Sequence, residues 1–161
     1  MAAKQAKSWR EKLARGNGLP KVVKIPPAGR ARWGGATLAI PAPRDIDALM
    51  RTVPKGRVTT INELRAAVAR KHKAAAGCPI TTGIFSCIAA RAAEEAFLAG
   101  EREITPYWRT LKKGGELNPK FPGGVPALEK KLAAEGHAFV RKGARVLVAN
   151  LEQVLYSPAA R

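Results

Sequence analysis

Cysteine and histidine are scarce in this chain of 161 residues, which contains two of each. Cys78 and Cys87 are too few for a disulfide framework, and with His72 and His137 they form no metal-ligand spacing. We therefore expect no metal, no cofactor and a reducing, cytoplasmic setting. No segment approaches the roughly 18 consecutive apolar residues of a membrane span, and the N-terminal residues lack the apolar region of a signal peptide.

Acidic residues are also few: 12 Asp and Glu stand against 29 Lys and Arg, a net charge of +17. Such an excess predicts a polyanionic partner, and nucleic acid is the first candidate. A membrane surface or ribosomal RNA would be attracted by the same charge. The length and the 46% hydrophobic content indicate one domain with a real core.

Residues 1–42 are basic and interrupted by Gly and Pro. Ser8 is placed to cap a short helix in which Trp9 and Leu13 lie on one side. The prolines after Gly16 predict an extended arm, which either tracks phosphates or is a solvated tail. The apolar residues 37–40 indicate that the end of this arm docks on the domain.

Two helices follow. Ile46, Leu49, Met50 and Val53 fall on one face of the first. The second, at 61–72, begins with a capping box in which Thr60 and Glu63 satisfy each other's backbone amides.

A third helix runs to about residue 99 after a turn at Gly77-Cys78-Pro79, with Thr81 or Thr82 as its cap. Its inward residues are predicted to be Ile84, Phe85, Ile88 and Ala92. Together with the preceding helix it forms a helix-turn-helix, whose second member reads DNA. Its first polar side chains are Thr81, Thr82 and Ser86, which either contact DNA or serve only as caps. Cys87 is interpreted as a packed thiol.

The sequence ITPYWRTLKKGGELNPKFPGG, at 104–124, places two aromatic rings and a guanidinium side by side at Tyr107, Trp108 and Arg109. This grouping suits stacking on a nucleobase and pairing with a phosphate, while burial of both rings in the core is the competing interpretation. Further on, a helix opens at Pro126, and residues 139–148 predict a small β-hairpin.

Residues 106–109, the following Gly-Gly and Pro122-Gly123-Gly124 resemble the active-site region of the O6-alkylguanine-DNA alkyltransferase family, whose motif reads Pro-Cys-His-Arg. Residues 53–60 resemble the opening of that family's DNA-binding helix-turn-helix, and the similarity spans about 40–139. Tyr107 stands at the position of the nucleophilic Cys and Trp108 at that of the His. Glu135 matches the Glu of the family's proton relay, and without Cys and His we interpret it as a helix-end carboxylate. A phenol with no base is a poor alkyl acceptor, so the chain is most similar to the alkyltransferase-like proteins, which bind alkylated guanine without repairing it.

The resemblance implies a mainly α fold with small β elements: a winged helix-turn-helix domain at 43–139, a basic arm at 1–42, and a C-terminal strand and tail at 140–161. It implies a monomer that binds duplex DNA, rotates O6-alkylguanine out of the stack and flags it for an excision-repair protein. The implied lesion pocket, with the 121–124 loop as its lid, comprises Tyr107, Trp108, Arg109, Phe121, Pro122, Gly123 and Gly124. The implied DNA-binding residues are Thr60, Ile61, Ile80, Thr81, Thr82 and Ser86. Ile61 stands where the family has a Tyr that presses on the phosphate of the target nucleotide. Ile80 stands where the family has an Arg that fills the vacated stack, and an apolar side chain can take that role.

Two alternatives stay open. In the first, the chain is a general double-stranded DNA or RNA binder, whose affinity would depend on salt and would be equal for damaged and undamaged duplexes. In the second, the chain is an enzyme in which Cys78 or Tyr107 accepts the alkyl group, and the mass of the protein would increase after exposure to alkylated DNA.

Overall fold

The computed structural model describes residues 7–158, in which helices predominate and strands are short. The α-helices are α1 Trp9–Ala14, α2 Arg30–Trp33, α3 Pro43–Arg51, α4 Ile61–Lys71, α5 Pro79–Leu98, α6 Gly124–Ala134 and α7 Leu151–Val154. The strands are β1 Lys21–Lys24, β2 Thr37–Ile40, β3 Thr59–Thr60, β4 Ala76–Gly77, β5 Thr110–Leu111, β6 Phe139–Lys142 and β7 Arg145–Val148. The predicted mainly α fold with small β elements is confirmed. No helix within residues 7–158 is long and apolar enough to cross a membrane.

Helix α5 is the element on which α1, α3 and α4 pack. Its buried face consists of small side chains, which allow helices to approach closely: Thr82, Ser86, Ala89, Ala90, Ala92, Ala93 and Ala96. The predicted inward position of Ile84 is wrong, because this side chain is 52% exposed. The predicted caps are also wrong, because α5 begins at Pro79 after Cys78, and the Thr82 hydroxyl donates to the Cys78 carbonyl at 2.6 Å.

The segment before α3 is not the extended arm that we expected. Strand β1 pairs antiparallel with β2, and β2 pairs parallel with β4 beside α4. Ile25, Leu38 and Cys78 form a second small core beneath this sheet. Ladder hydrogen bonds and the burial of Ile25, Leu38 and Ala39 hold residues 21–40 on the domain, so the predicted docking of residues 37–40 is confirmed. Residues 1–6 of the arm lie outside the described residues.

The packing of α3 and α4 follows their sequence patterns. Ile46 and Met50 are fully buried and Val53 is 1% exposed, as the spacing predicts. Thr60 caps α4 by accepting from the Glu63 amide at 3.4 Å. The other half of the predicted capping box is wrong, because the Glu63 carboxylate accepts instead from the Ser157 hydroxyl at 2.7 Å.

The C-terminal hairpin is confirmed. Strand β6 pairs antiparallel with β7, with Phe139 opposite Val148 and Lys142 opposite Arg145. Val146 and Val148 turn inward and join the main core. The Leu117 amide donates to the Val146 carbonyl at 2.9 Å, which ties the hairpin to the segment after β5.

Candidate nucleic-acid interface

The Tyr107 side chain is a core residue. Residues 107–109 form a 3-10 turn after Pro106, and the Tyr107 ring is 1% exposed. It makes edge contacts with Trp108 and Phe121, at centroid distances of 5.3 and 6.1 Å. Its hydroxyl donates to Glu94 Oε2 at 3.1 Å. The expectation that the Tyr107 ring faces a pocket is therefore wrong, and the competing core interpretation describes this residue.

The chemistry open to Tyr107 follows from that environment. Burial, together with the charge of Glu94 and the hydrogen bond to it, raises the pKa of the phenol far above its ordinary value of 10.0. A carboxylate in contact is a candidate general base, but proton transfer to Glu94 would leave a phenolate where burial disfavours charge. Tyr107 therefore stays a protonated phenol and is a poor nucleophile.

Arg109, Trp108 and Glu135 form a hydrogen-bonded group at the C-terminal end of α6. Arg109 Nη2 donates to Glu135 Oε1 at 2.6 Å, and Trp108 Nε1 donates to the same oxygen at 3.0 Å. Arg109 Nη1 donates to the Val53 carbonyl at 2.8 Å, which ties the turn to the end of α3. Burial alone would raise the pKa of Glu135, but these hydrogen bonds outweigh it and lower the pKa. Arg109 thus orients the turn, and Glu135 is its structural counter-ion.

The predicted lid at 121–124 is only partly at the surface. Phe121 is 2% exposed and packs on Tyr107, so its predicted place in an open pocket is wrong. Gly123 has a φ of 79°, and a Cβ there would lie 2.5 Å from the Ala127 methyl, so only glycine fits without movement. Gly124 begins α6, and Pro122 lines a small cavity of about 230 Å³ together with Trp9 and Arg91.

The predicted DNA-binding residues divide by exposure. Thr60 is 6% exposed, and Thr82 and Ser86 are fully buried, so their predicted contact with DNA is wrong for the folded conformation. Each hydroxyl is used inside the fold, and that of Ser86 donates to the Gly83 carbonyl at 2.7 Å. Ile61 and Thr81 are half-buried. Ile80 and Ile84, at 58% and 52% exposed, project from the first two turns of α5.

A groove of about 530 Å³ lies along α5, and sequence analysis missed it. We call it the α5 groove, and its lining consists of Trp9, Lys12, Gly83, Ile84, Cys87, Ile88, Arg91, Lys112, Asn118, Pro119 and Lys120. Four lining side chains are cationic, and no carboxylate lines the groove within the described part of the chain. The separation of Trp9 from Arg91 in sequence explains why no local pattern indicated it.

The Trp9 indole in the α5 groove is flanked by two of these cations. Lys12 Nζ lies 4.0 Å from its ring centroid and Arg91 Cζ lies 5.2 Å from it. Cys87 is half-buried and packs against the main core, which confirms the predicted packed thiol, and it also lines the α5 groove. Burial raises the pKa of Cys87, and the nearby charges of Lys120 and Arg91 only partly offset this, so its thiol is not activated. The other thiol, of Cys78, is 6% exposed.

Comparisons with known proteins give one distant structural likeness. No family model matches the chain, and no curated protein matches it. Among solved structures, the crystal structure of S. pombe Atl1 in complex with damaged DNA containing O6-carboxymethylguanine is similar, with 17% sequence identity and a TM-score of 0.47. The likeness covers 72% of this chain and 94% of that chain. At this identity and score it does not establish family or function, which we argue from the residues.

The described residues contain no metal centre. Across 7–158, no group of three or more His, Cys, Asp or Glu side chains lies close enough to hold a metal ion. The α5 groove itself offers cations, apolar side chains and the half-buried Trp9 indole. Cations beside an aromatic ring suit the binding of a polyanion.

Proposed function

We propose that this protein binds duplex DNA, recognises alkylated guanine in it and flags the lesion for a repair protein without doing chemistry on it. The observation that carries this proposal is the surface of α5, where exposed Ile80 and Ile84 adjoin the cationic α5 groove. Cations compensate phosphates, and apolar side chains at a helix start enter between bases. The sequence resemblance over 40–139 adds the preference for alkylated guanine.

The burial of the candidate alkyl acceptors supports the proposal that this protein does not take up the alkyl group. Tyr107 is buried and its raised pKa keeps the phenol protonated. Cys78 is buried, and the pKa of Cys87 is raised by burial. Neither Tyr107 nor Cys87 has the lowered pKa that activates a nucleophile, and proton transfer from Tyr107 to Glu94 would leave a buried phenolate.

The proposed recognition begins with the first two turns of α5 in the minor groove of the duplex. Ile80 and Ile84 lie four residues apart and therefore share one face, where they form an apolar ridge. Minor-groove proteins insert such side chains between base steps and unstack them, at a cost of a few kcal/mol. A weakened alkylguanine pair lowers that cost, which gives selectivity before any pocket is filled.

A second candidate is a general binder of double-stranded DNA or RNA without lesion preference. The burial of Tyr107 and Phe121, at 1% and 2% exposure, favours it. Two side chains of the implied lesion pocket are then unable to touch a base. This candidate predicts a steep salt dependence and equal affinity for damaged and undamaged duplexes.

The deciding experiment is fluorescence anisotropy with two duplexes that differ only in guanine or O6-methylguanine at one central position. Each duplex is titrated at two salt concentrations, and the intact mass of the protein is measured afterwards. We expect at least about tenfold tighter binding to the lesion, equal to about 1.4 kcal/mol, with no mass change. Equal affinity for both duplexes would establish the general binder, and a stable mass increase would establish an alkyl acceptor.

A matched pair of variants tests the ridge. Ile80→Ala with Ile84→Ala should reduce lesion preference and leave the salt slope unchanged, because no charge is removed. Val140→Ala removes a similarly exposed side chain, 44% accessible, from the C-terminal hairpin and should change neither. An equal loss of lesion preference in the ridge variant and in Val140→Ala would show that the ridge takes no part in recognition.

A further inference from the structure

Helix α1 is fastened to α5 through its backbone. The amides of Trp9 and Arg10 both donate to the Glu95 carboxylate, at 3.0 and 3.4 Å, and Arg10 also pairs with Glu101. Leu13 packs against the main core from the same helix. These contacts hold α1 against α5, and they do not involve the Trp9 ring.

The Trp9 ring forms one wall of the α5 groove. Ile84, Cys87 and Ile88 supply an apolar surface on α5, and residues 118–120 close the side formed by the loop before α6. Asn118 brings a side-chain amide to this loop, and its Oδ1 is fixed by the Lys120 amide at 3.0 Å. The groove therefore combines a flat ring, an apolar surface and a hydrogen-bonding group.

Charge around the ring completes the site. Lys12 and Arg91 lie over the indole, and Lys120 lines the same groove. Arg91 Nη2 also donates to the Lys120 carbonyl at 3.1 Å, so α5 and the loop are held together at this point. Lys12 is half-buried on α1, and its long side chain can leave the ring for a phosphate while a base takes its place.

We propose that the α5 groove binds an unstacked nucleobase of a nucleic acid, with Trp9 as the stacking platform and Lys12 and Lys120 on the attached phosphates. This inference rests on the proposed function and gives it a base-binding site different from the closed Tyr107 region. Trp9 and Lys12 lie outside the residues that resemble the alkyltransferase family. A flat ring between cations, with an apolar surface beside it, recognises a planar aromatic group on a polyanion.

Cys87 provides a direct readout of occupancy. Its thiol faces the groove, while Cys78 is buried, so a maleimide at mildly alkaline pH should modify Cys87 first. The labelling rate is measured with no ligand, with the O6-methylguanine duplex, with the matched guanine duplex and with guanosine monophosphate. We expect the lesion duplex to slow labelling in proportion to occupancy, and more than the matched duplex does.

Three variants separate stacking from simple coverage of the thiol. Trp9→Ala should weaken binding of the lesion duplex about tenfold, whereas Trp9→Phe should retain most of the affinity because a ring remains. Phe97→Ala is the matched control, since Phe97 is a 49% exposed aromatic residue at the other end of α5 and does not line the groove. It should bind as the unmodified protein does.

The outcomes separate this inference from the proposed function. Tight binding of the lesion duplex with no protection of Cys87, or with Trp9→Ala unaffected, overturns the base site and leaves the proposed function standing. If neither duplex binds, the proposed function fails. Protection by guanosine monophosphate that is lost in Trp9→Ala would then still establish the groove as a nucleotide site, and no protection by any probe would overturn it.

Discussion

Arg109 and Glu135 form a bidentate ion pair, in which Arg109 Nε and Nη2 both donate to the carboxylate, at 3.0 and 2.6 Å. The side chains of the pair are 15% and 7% exposed, so the pair lies largely out of water. It connects the 3-10 turn after Pro106 to the end of α6 and, through the Val53 carbonyl, to α3. The position of Tyr107 and Trp108 depends on this connection.

Removal of one member of this pair should be strongly destabilising. We expect Arg109→Ala or Glu135→Ala to lower the free energy of unfolding by about 3–5 kcal/mol, because the remaining buried charge loses its partner. Urea denaturation measures this. The control is Arg141→Ala, which breaks a pair with Glu129 whose side chains are 64% and 26% exposed, and which should cost at most about 1 kcal/mol. A small loss at Arg109 would show that the turn is held by packing alone.

Stability should fall in acid through Glu135. The folded state holds the pKa of this carboxyl below its ordinary value of 4.5, because hydrogen bonds from Arg109 and Trp108 outweigh burial. Its contribution is therefore present above pH 4.5 and is lost as the pH falls from there to the folded pKa. Urea midpoints measured across this range should decline less steeply in Glu135→Gln than in the unmodified protein. An identical slope would exclude Glu135 as the group responsible.

The Tyr107 phenol should resist ionisation while the protein is folded. The chain has two tyrosines, so Tyr156→Phe leaves Tyr107 as the only phenol. Burial and Glu94 raise its pKa, so its stabilising effect is present below the ordinary value of 10.0 and is lost as the pH rises above it. Phenolate absorbance in this variant should appear only together with unfolding by circular dichroism. Reversible ionisation of the folded protein near pH 10.0 would place Tyr107 in contact with solvent.

Two glycines should respond oppositely to alanine. A Cβ at Gly77 would lie 2.3 Å from the Arg65 carbonyl oxygen on α4, so Gly77→Ala forces β4 and α4 apart and should cost roughly 1–3 kcal/mol. Gly83 lies inside α5 with nothing within 4 Å of a new Cβ, so Gly83→Ala should add roughly 0.5–1 kcal/mol by helix propensity. Thermal unfolding of the two variants measures the difference. A neutral Gly77→Ala would mean that the two elements separate easily.

Local patterns predicted the elements that depend on local chemistry. The spacing of Ile46, Met50 and Val53 predicted the buried face of α3, and Thr60 predicted the start of α4. The alternation in 139–148 predicted the hairpin. The pattern failed on α5, where the spacing of the large apolar residues predicted Ile84 to face inward, whereas the buried face consists of small side chains such as Ser86, Ala89 and Ala93.

The sequence by itself determined the charge, the helical class, the cap at Thr60 and the Pro-x-x-Arg turn, because these follow from composition and from neighbours within a few residues. Only the tertiary structure decided that Tyr107 is buried against Glu94, that residues 21–40 pair into a sheet and that Trp9 meets Arg91. The contacts of Tyr107 and Trp9 join other segments to α5, and β2 pairs with β4, which lies beyond α3 and α4 in the chain. Which side chains become buried depends on contacts between segments, so it cannot be predicted from the sequence of any one segment.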